Sequence, residues 1–308
     1  MRLPFPRLQD GAQTWLGPLL MCVASMMFSI MDAGTKYLST EYPPAQVVWV
    51  RYLAQALAIW VIFWPRMRIS LFRTQHIVIQ IVRGLILCTS SMLVIHGLAR
   101  LPLAETTAFV FLAPVFITVL SGLLLKEKAT RADWIAIGCG FAGVLIIARP
   151  GGGLLTWAIL LPLGAAVCNA GYQLVTRIVR STELPATSNL YTGLVGAAVL
   201  MPVGLAEWEP MAWGDLLLLV AVGLLAATAH LAITHALVRS SAATLGPYSY
   251  AQILTATLMG WLVFSSVPDA ISWLGILVIA CGGLVLSFDK LRRYRAAQAE
   301  ARARSASR

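Results

Sequence analysis

Ten apolar runs, each long enough to cross a bilayer, divide this chain and leave it few folds to adopt. A membrane-crossing helix needs about 20 mostly apolar residues. The runs lie at 15–38, 45–64, 77–98, 104–125, 132–149, 154–176, 186–206, 214–237, 243–264 and 270–288. The gaps are short and hold turn formers: Pro43-Pro44, Pro65, Pro102 and Gly151-Gly152-Gly153. Hydrocarbon offers no hydrogen bonds to an open backbone, so each run is expected to be helical. The alternating pattern of a membrane β-barrel is missing. Composition points the same way. Charged residues make up 12% of the 308 and apolar residues 59%, whereas soluble domains carry about 25% charged residues. These values exclude a disordered chain, a disulfide scaffold and an ordinary soluble globule. Cys22, Cys88, Cys139, Cys168 and Cys281 all lie in apolar runs and read as buried thiols. The first run has no clear signal-cleavage site and continues to Asp32 and Lys36, so it reads as a retained span.

The net charge of +10 would suit a nucleic-acid binder, but its distribution does not. With the N-terminus placed inside, 18 of the 23 Lys and Arg fall on the inner side. Lys36, Arg100 and Arg149 fall outside, and Arg51 and Arg83 lie within spans. That excess predicts cytoplasmic termini and no nucleic-acid partner. Residues 289–308 form a basic cytoplasmic tail that either meets anionic lipid or is solvated.

Sliding the chain by 139 residues matches His96 with His235, Arg100 with Arg239 and Phe111 with Tyr250. It also matches Phe109 with Tyr248, Trp134 with Trp273 and Gly143 with Gly282. Ten of the fifty ungapped positions from 96 to 145 are identical. The repeat unit is five spans. Five is odd, so the second unit enters the membrane from the other side, an arrangement common among secondary transporters.

The stretch LARLPLAETTAFVFLAPVFITVLSGLLLKEKATRADWIAIGCGFAGVLIIARPG resembles the closing half of an EamA domain. FSIMDAGTKYLSTEYPPAQVVWVRYL resembles the opening of one. The chain is similar to the drug/metabolite transporter superfamily, EamA type, over nearly its whole length. That resemblance implies an all-α integral membrane protein of ten helices in two inverted five-helix repeats, 15–149 and 154–288. It also implies a multi-pass protein of a bacterial-type inner membrane. Lys36, Arg51, Arg83, Pro114, Glu127 and Gly143 fall where the family pattern places such residues. In the second half Ile253 and Ser266 replace the matching proline and acid. Phe28, Asp32 and Lys36, spaced FxxxDxxxK, and the span-three Arg83 look most like uptake proteins for S-adenosylmethionine or riboflavin.

Ionisable side chains are costly in hydrocarbon and usually face an interior or a cavity. Asp32 and Lys36 share a face of span 1, and Arg51 on span 2 lies at a similar depth. The three could form a site for an anionic or zwitterionic group, or a structural Asp–Arg pair with Lys36 snorkelling outward. Arg83 either snorkels to the cytoplasm or lines a cavity. Asn169, Tyr172, Gln173 and Thr176 form a polar stripe on span 6, His230 and Thr234 one on span 8, and Tyr248, Gln252 and Thr255 one on span 9. Each stripe is a cavity wall or a set of interhelical contacts. Pro114 and Pro247 free the carbonyls of Val110 and Ala243, marking a hinge or a repaired kink.

Gly138-Cys139-Gly140-Phe141-Ala142-Gly143 spells GxGxxG inside an apolar span, where glycine permits close helix packing rather than dinucleotide binding. His230 and His235 are poorly spaced for zinc, and no metal or cofactor is expected. No ATP-binding motif occurs, so transport energy would come from a gradient or exchange. The expected function is secondary transport of a small organic metabolite that is a vitamin, nucleoside-like or amino-acid-derived. An exporter of amino acids or drugs is the alternative. A membrane enzyme is less favoured, because its only candidate acids, Glu207, Glu209 and Asp215, read as a solvated loop. Monomer and homodimer both remain open.

Overall fold

A computed structural model describes residues 15–113, 115–117, 119–120, 130–148, 156–179, 182–239 and 245–306. Among them are ten α-helices and no strand. They are α1 (Leu16–Leu38), α2 (Pro44–Met67), α3 (Ile77–Leu98), α4 (Leu103–Val110) and α5 (Arg131–Ala148). The second five are α6 (Leu160–Val179), α7 (Pro185–Ala206), α8 (Trp213–Arg239), α9 (Ala251–Phe264) and α10 (Ala270–Ala306).

Local sequence sets the helix starts. Pro44 and Pro185 begin α2 and α7, where a missing N–H costs nothing. Before α5, the Thr130 N–H donates to Asp133 Oδ2 at 2.7 Å, and the Asp133 N–H donates to Thr130 Oγ1 at 3.3 Å. This reciprocal cap satisfies two donors that would otherwise be orphaned. Asp269 caps α10 by accepting the Ser272 N–H at 2.9 Å.

Among the described residues, eight helices are long and apolar enough to span a bilayer. Spans 4 and 9, expected over 104–125 and 243–264, are described only in part, and each shows a break in its helix. Helix α4 gives way to a turn at Phe111 and Leu112 before a helical stretch to Ile117. Helix α9 is preceded by a five-residue 3-10 turn, Gly246–Tyr250, which contains Pro247. Pro114 lies outside the described residues. The last span was expected to end at 288, but α10 continues as helix to Ala306. Trp134, Phe141, Leu217, Leu254 and Trp261 are among the large apolar side chains left exposed, as lipid contact requires.

Helix pairing is symmetric under exchange of the two sets of five. Helix α1 packs on α8 as α6 packs on α3, α2 on α8 as α7 on α3, and α1 on α9 as α6 on α4. Pairs α2–α7, α4–α9 and α5–α10 each map onto themselves. The 139-residue register recurs in atomic detail. Arg100 Nη1 donates to the His96 carbonyl and Arg239 Nη1 to the His235 carbonyl, both at 2.9 Å. Matched Phe111 and Tyr250 touch each other, with ring centroids 5.1 Å apart. A Cβ on Gly143 would meet the Gly275 carbonyl at 2.8 Å, and one on Gly282 would meet the Ala136 carbonyl at 3.4 Å. These contacts are images of each other under the same shift. The GxGxxG motif therefore sits at the α5–α10 crossing, where glycine lets two backbones meet.

Each end of the bundle is tied by a polar clamp. At the first end, Tyr42 Oη donates to Asp215 Oδ2 at 2.7 Å. The Gln46 amide donates to the Glu209 carbonyl at 2.8 Å and accepts its N–H at 2.9 Å. Asp215 and Glu209 thus join the α1–α2 loop to the α7–α8 loop. The Asp215 carboxylate also holds the Tyr42 phenol above its ordinary pKa, chiefly by accepting a hydrogen bond from its hydroxyl. At the second end, Glu183 Oε1 accepts Thr74 Oγ1 and the Gln75 N–H, both at 2.8 Å, and the His76 N–H at 3.2 Å. That clamp joins the α6–α7 and α2–α3 linkers, the images of the first pair.

The α5–α10 contact gives a direct test. Gly275→Ala places a methyl 2.9 Å from the Gly143 carbonyl and against Ile147. Overpacking costs about 1–3 kcal/mol, against about 1 kcal/mol gained in helix propensity. Gly275→Ala should lower the melting temperature of detergent-purified protein. Gly138→Ala, whose Cβ meets nothing within 4 Å, should not.

Candidate functional site

Helix α2 carries Arg51 into the middle of the bundle because glycines let its neighbours close on it. A Cβ on Gly223 of α8 would meet the Arg51 carbonyl at 2.9 Å, and one on Gly193 of α7 would meet Ala56. Arg51 is 7% exposed. Its Nη1 donates to the Met31 thioether at 3.3 Å, its Nε has no partner, and its guanidinium lies 5.2 Å from the Tyr52 ring centre. Asp32 of α1 lies within electrostatic reach of Arg51, but the two form no ion pair. His230 of α8 packs edge-on against Phe28 at 4.9 Å and feels the fields of both Arg51 and Arg83.

Arg83 of α3 lies beside this group, 2% exposed, and neutral oxygens hold it. Nη1 donates to Gln80 Oε1 at 2.6 Å, Nε to Thr176 Oγ1 at 2.9 Å and Nη2 to Tyr172 Oη at 3.0 Å. Gln80 Nε2 in turn donates to Ser188 Oγ at 3.0 Å. Arg83 is thus inside the bundle rather than snorkelling. Tyr52 Oη shares a hydrogen bond with Ser91 at 2.8 Å and completes the wall between the two arginines.

The structure therefore brings together Asp32, Arg51, Arg83, Tyr172 and His230, from α1, α2, α3, α6 and α8. It sets Lys36 apart. Lys36 Nζ donates to the Leu101 carbonyl at 2.7 Å and lies 5.2 Å from the Phe264 ring centre, with Glu105 as its nearby acid. Tyr248 and Gln252 contact α1 through their carbonyls, which accept Cys22 Sγ at 3.7 Å and Ser29 Oγ at 2.6 Å. Asn169 is half-buried and Gln173 is exposed. Tyr172 and Thr176 of the same stripe face Arg83. Buried Gln80, Ser188, Tyr52 and Gln55 belong to the cluster and were not singled out from the sequence. Their spacing carried a signal: Gln80 is three residues from Arg83 and Gln55 is four from Arg51.

Two surface hollows lie elsewhere. One, of about 450 Å³, is an apolar groove between α2 and α8 lined by Val50, Leu57, Val61 and Leu224. The other, of about 390 Å³, is at the second clamp around Thr74 and Glu183. Neither includes the central cluster, in which Arg51 and Arg83 are buried and Asp32, Tyr172 and His230 are half-buried. Among the described residues no group of three or more His, Cys, Asp or Glu could hold a metal ion.

Among the described residues, ten helices in two exchange-symmetric sets, packed around buried charge, define a membrane transporter fold. Residues 15–149 and 156–288 both match the EamA-like transporter family, and the chain belongs to it. It is 32% identical over 271 residues to a riboflavin transporter of Vibrio cholerae, covering 85% of this chain and 90% of that one. It is 27% identical over 273 residues to the pseudopaline exporter CntI of Pseudomonas aeruginosa, covering 86% and 94%. It is 22% identical over 286 residues to an S-adenosylmethionine uptake transporter of Rickettsia prowazekii, covering 92% and 96%. A protein known from a crystal structure superposes with a TM-score of 0.64 at 20% identity, covering 92% of this chain and 99% of that one. That likeness shows the fold.

The Arg83 shell predicts a graded response. Tyr172→Phe leaves a buried charged donor unpaired, which costs about 1–3 kcal/mol. It should lower the melting temperature, while Gln173→Ala, at an exposed position, should shift stability by less than about 0.5 kcal/mol.

Proposed function

We propose that the chain is a secondary transporter that moves a small organic metabolite across a bacterial inner membrane by alternating access. One observation carries this reading. Five polar or charged side chains from helices of both halves come together inside the bundle, while polar clamps tie both ends. Opening one clamp at a time would expose the centre to one side at a time, and the two halves, 15–149 and 154–288, supply interchangeable scaffolds for the two states. The Lys/Arg count supports cytoplasmic termini with the Tyr42–Asp215 clamp outside. Asp32, Arg51, Arg83, Tyr172 and His230 form the core of the site. Asn169, Gln173, Tyr248 and Gln252 join its wall when α6 and α9 move, and Lys36 acts at the outer end. The helix breaks near Pro114 and Pro247 are the hinges. Uptake of a vitamin-like metabolite is favoured by the 32% identity to a riboflavin transporter. Export is the second reading, favoured by the 27% identity to the pseudopaline exporter.

Proteoliposomes holding the full chain should accumulate at least one of labelled riboflavin, S-adenosylmethionine or an amino-acid-derived metabolite under an ion gradient or by exchange. His230→Ala should reduce that flux at least tenfold with the protein still folded. No flux of any class in either direction would overturn the transporter reading. A reporter fused to the C-terminus should remain in the cytoplasm, and an external reporter would overturn the orientation.

A further inference from the structure

The charge at the centre does not balance. Arg51 and Arg83 are both buried, and the acid Asp32 lies within electrostatic reach of Arg51. The other groups that contact the pair or lie within its reach are neutral or a histidine: Tyr52 on α2, Gln80 and Cys88 on α3, Tyr172 and Thr176 on α6, and His230 on α8. With histidine counted neutral, two buried guanidinium groups and one carboxylate leave one positive charge between the packed helices.

The two arginines are held in opposite ways. Arg83 spends Nε, Nη1 and Nη2 on three neutral oxygens at 2.6–3.0 Å. Arg51 has a thioether sulfur, a weak acceptor, on Nη1 and nothing on a fully buried Nε. A buried polar group without a partner is rare in a native fold, and a charged one more so. One guanidinium is structural, and the other keeps an unfilled donor on a fork of the shape that binds carboxylate or phosphate side-on.

We propose that Arg51 is the docking point for an anionic group of the cargo, a carboxylate or a phosphate ester, so that the transported molecule bears at least one negative charge. This rests on the transporter reading and narrows its substrate class. One anion on Arg51 brings the centre to neutrality. A cation would double the imbalance, and a neutral cargo would leave it. Asp32, within electrostatic reach of Arg51, opposes that anion, which keeps its hold on Arg51 reversible.

The test uses the purified full chain and matched ligands that differ by one anionic group: riboflavin and its 5′-phosphate, adenosine and its 5′-phosphate, and a free amino acid and its amide. Inorganic phosphate and acetate serve as small-anion controls. A ligand that binds only the folded state raises the melting temperature. At least one anionic member should raise it well beyond its neutral partner. Arg51→Gln should weaken that ligand at least tenfold, Arg51→Lys should restore part of the loss, and Asp32→Asn should tighten binding several-fold. Equal binding of both members of every pair, or no shift by any anionic member, overturns the assignment. So does an unchanged anion preference in Arg51→Gln. Protection by inorganic phosphate or acetate equal to that by the organic anions overturns the cargo as the source of the charge. Should Arg51→Gln fail to fold, Arg51→Lys and Asp32→Asn decide. The transporter reading fails separately, on flux.

Discussion

Placing a guanidinium in a hydrocarbon-embedded bundle is the constraint on which the rest of this structure turns. An unpaired buried ion costs several kcal/mol after relaxation, of order 3–5 where a partner has been removed. The chain meets that cost at Arg83 with oxygens from three helices: Gln80 on its own α3, Tyr172 and Thr176 on α6, and Ser188 on α7 behind Gln80. Those helices must approach closely for short side chains to reach, and glycine makes the approach possible. A Cβ on Gly84 would meet Val195 of α7 at 2.6 Å, and one on Gly196 would meet the Tyr52 ring at 2.7 Å. The small-residue packing and the buried charge are therefore one design: close helices solvate the arginine, and the solvated arginine ties the helices.

Symmetry governs the scaffold but not the chemistry. Backbone pairings, the Gly143 and Gly282 crossings and the two end clamps all map onto their images when the halves exchange. The charged residues at the centre, Asp32, Arg51 and Arg83, all come from the first half, whereas the second supplies Tyr172, Thr176, Ser188 and His230. The clamps differ as well. A phenol and an amide close one end, and a single carboxylate that gathers two backbone N–H groups at the start of α3 closes the other. A carboxylate at a helix N-terminus gains from the helix dipole.

Much of this was legible in the sequence. Span lengths, the helical class and the repeat register follow from hydropathy and from rare matched residues such as Arg100 and Arg239. The similar depth of Asp32 and Arg51 follows from their places in spans 1 and 2, whereas the meeting of Arg83 with Tyr172 and Thr176 does not, because spacing along α3 and α6 does not say which faces pack together. Lys36 was grouped with Asp32 and Arg51 because i and i+4 share a face. What spacing does not show is what stands opposite, here the Leu101 carbonyl from a loop sixty-five positions away. Gln80 and Ser188 went unnoticed because a neutral polar residue in an apolar run costs little and draws no attention until its partner is seen. The breaks in α4 and α9 were hidden from hydropathy, which reports the apolarity of a segment and not the direction of its hydrogen bonds. Proline at 114 and 247 was the available sign.

An asymmetric charge on a symmetric scaffold has a mechanical consequence. Because the two halves are alike, exchanging their conformations changes little in the packing, so neither closed end is strongly preferred on that ground. The buried charges break the tie. Coulomb energy depends steeply on local dielectric, so the state that admits more water to Arg51 gains stability until a counter-charge occupies it. The unfilled Nε and the thioether contact leave that energy unspent in this structure. Arg83, already solvated by its oxygens, contributes little to the difference. Under the function proposed above, the balance between the two ends rests on the occupancy of the Arg51 guanidinium.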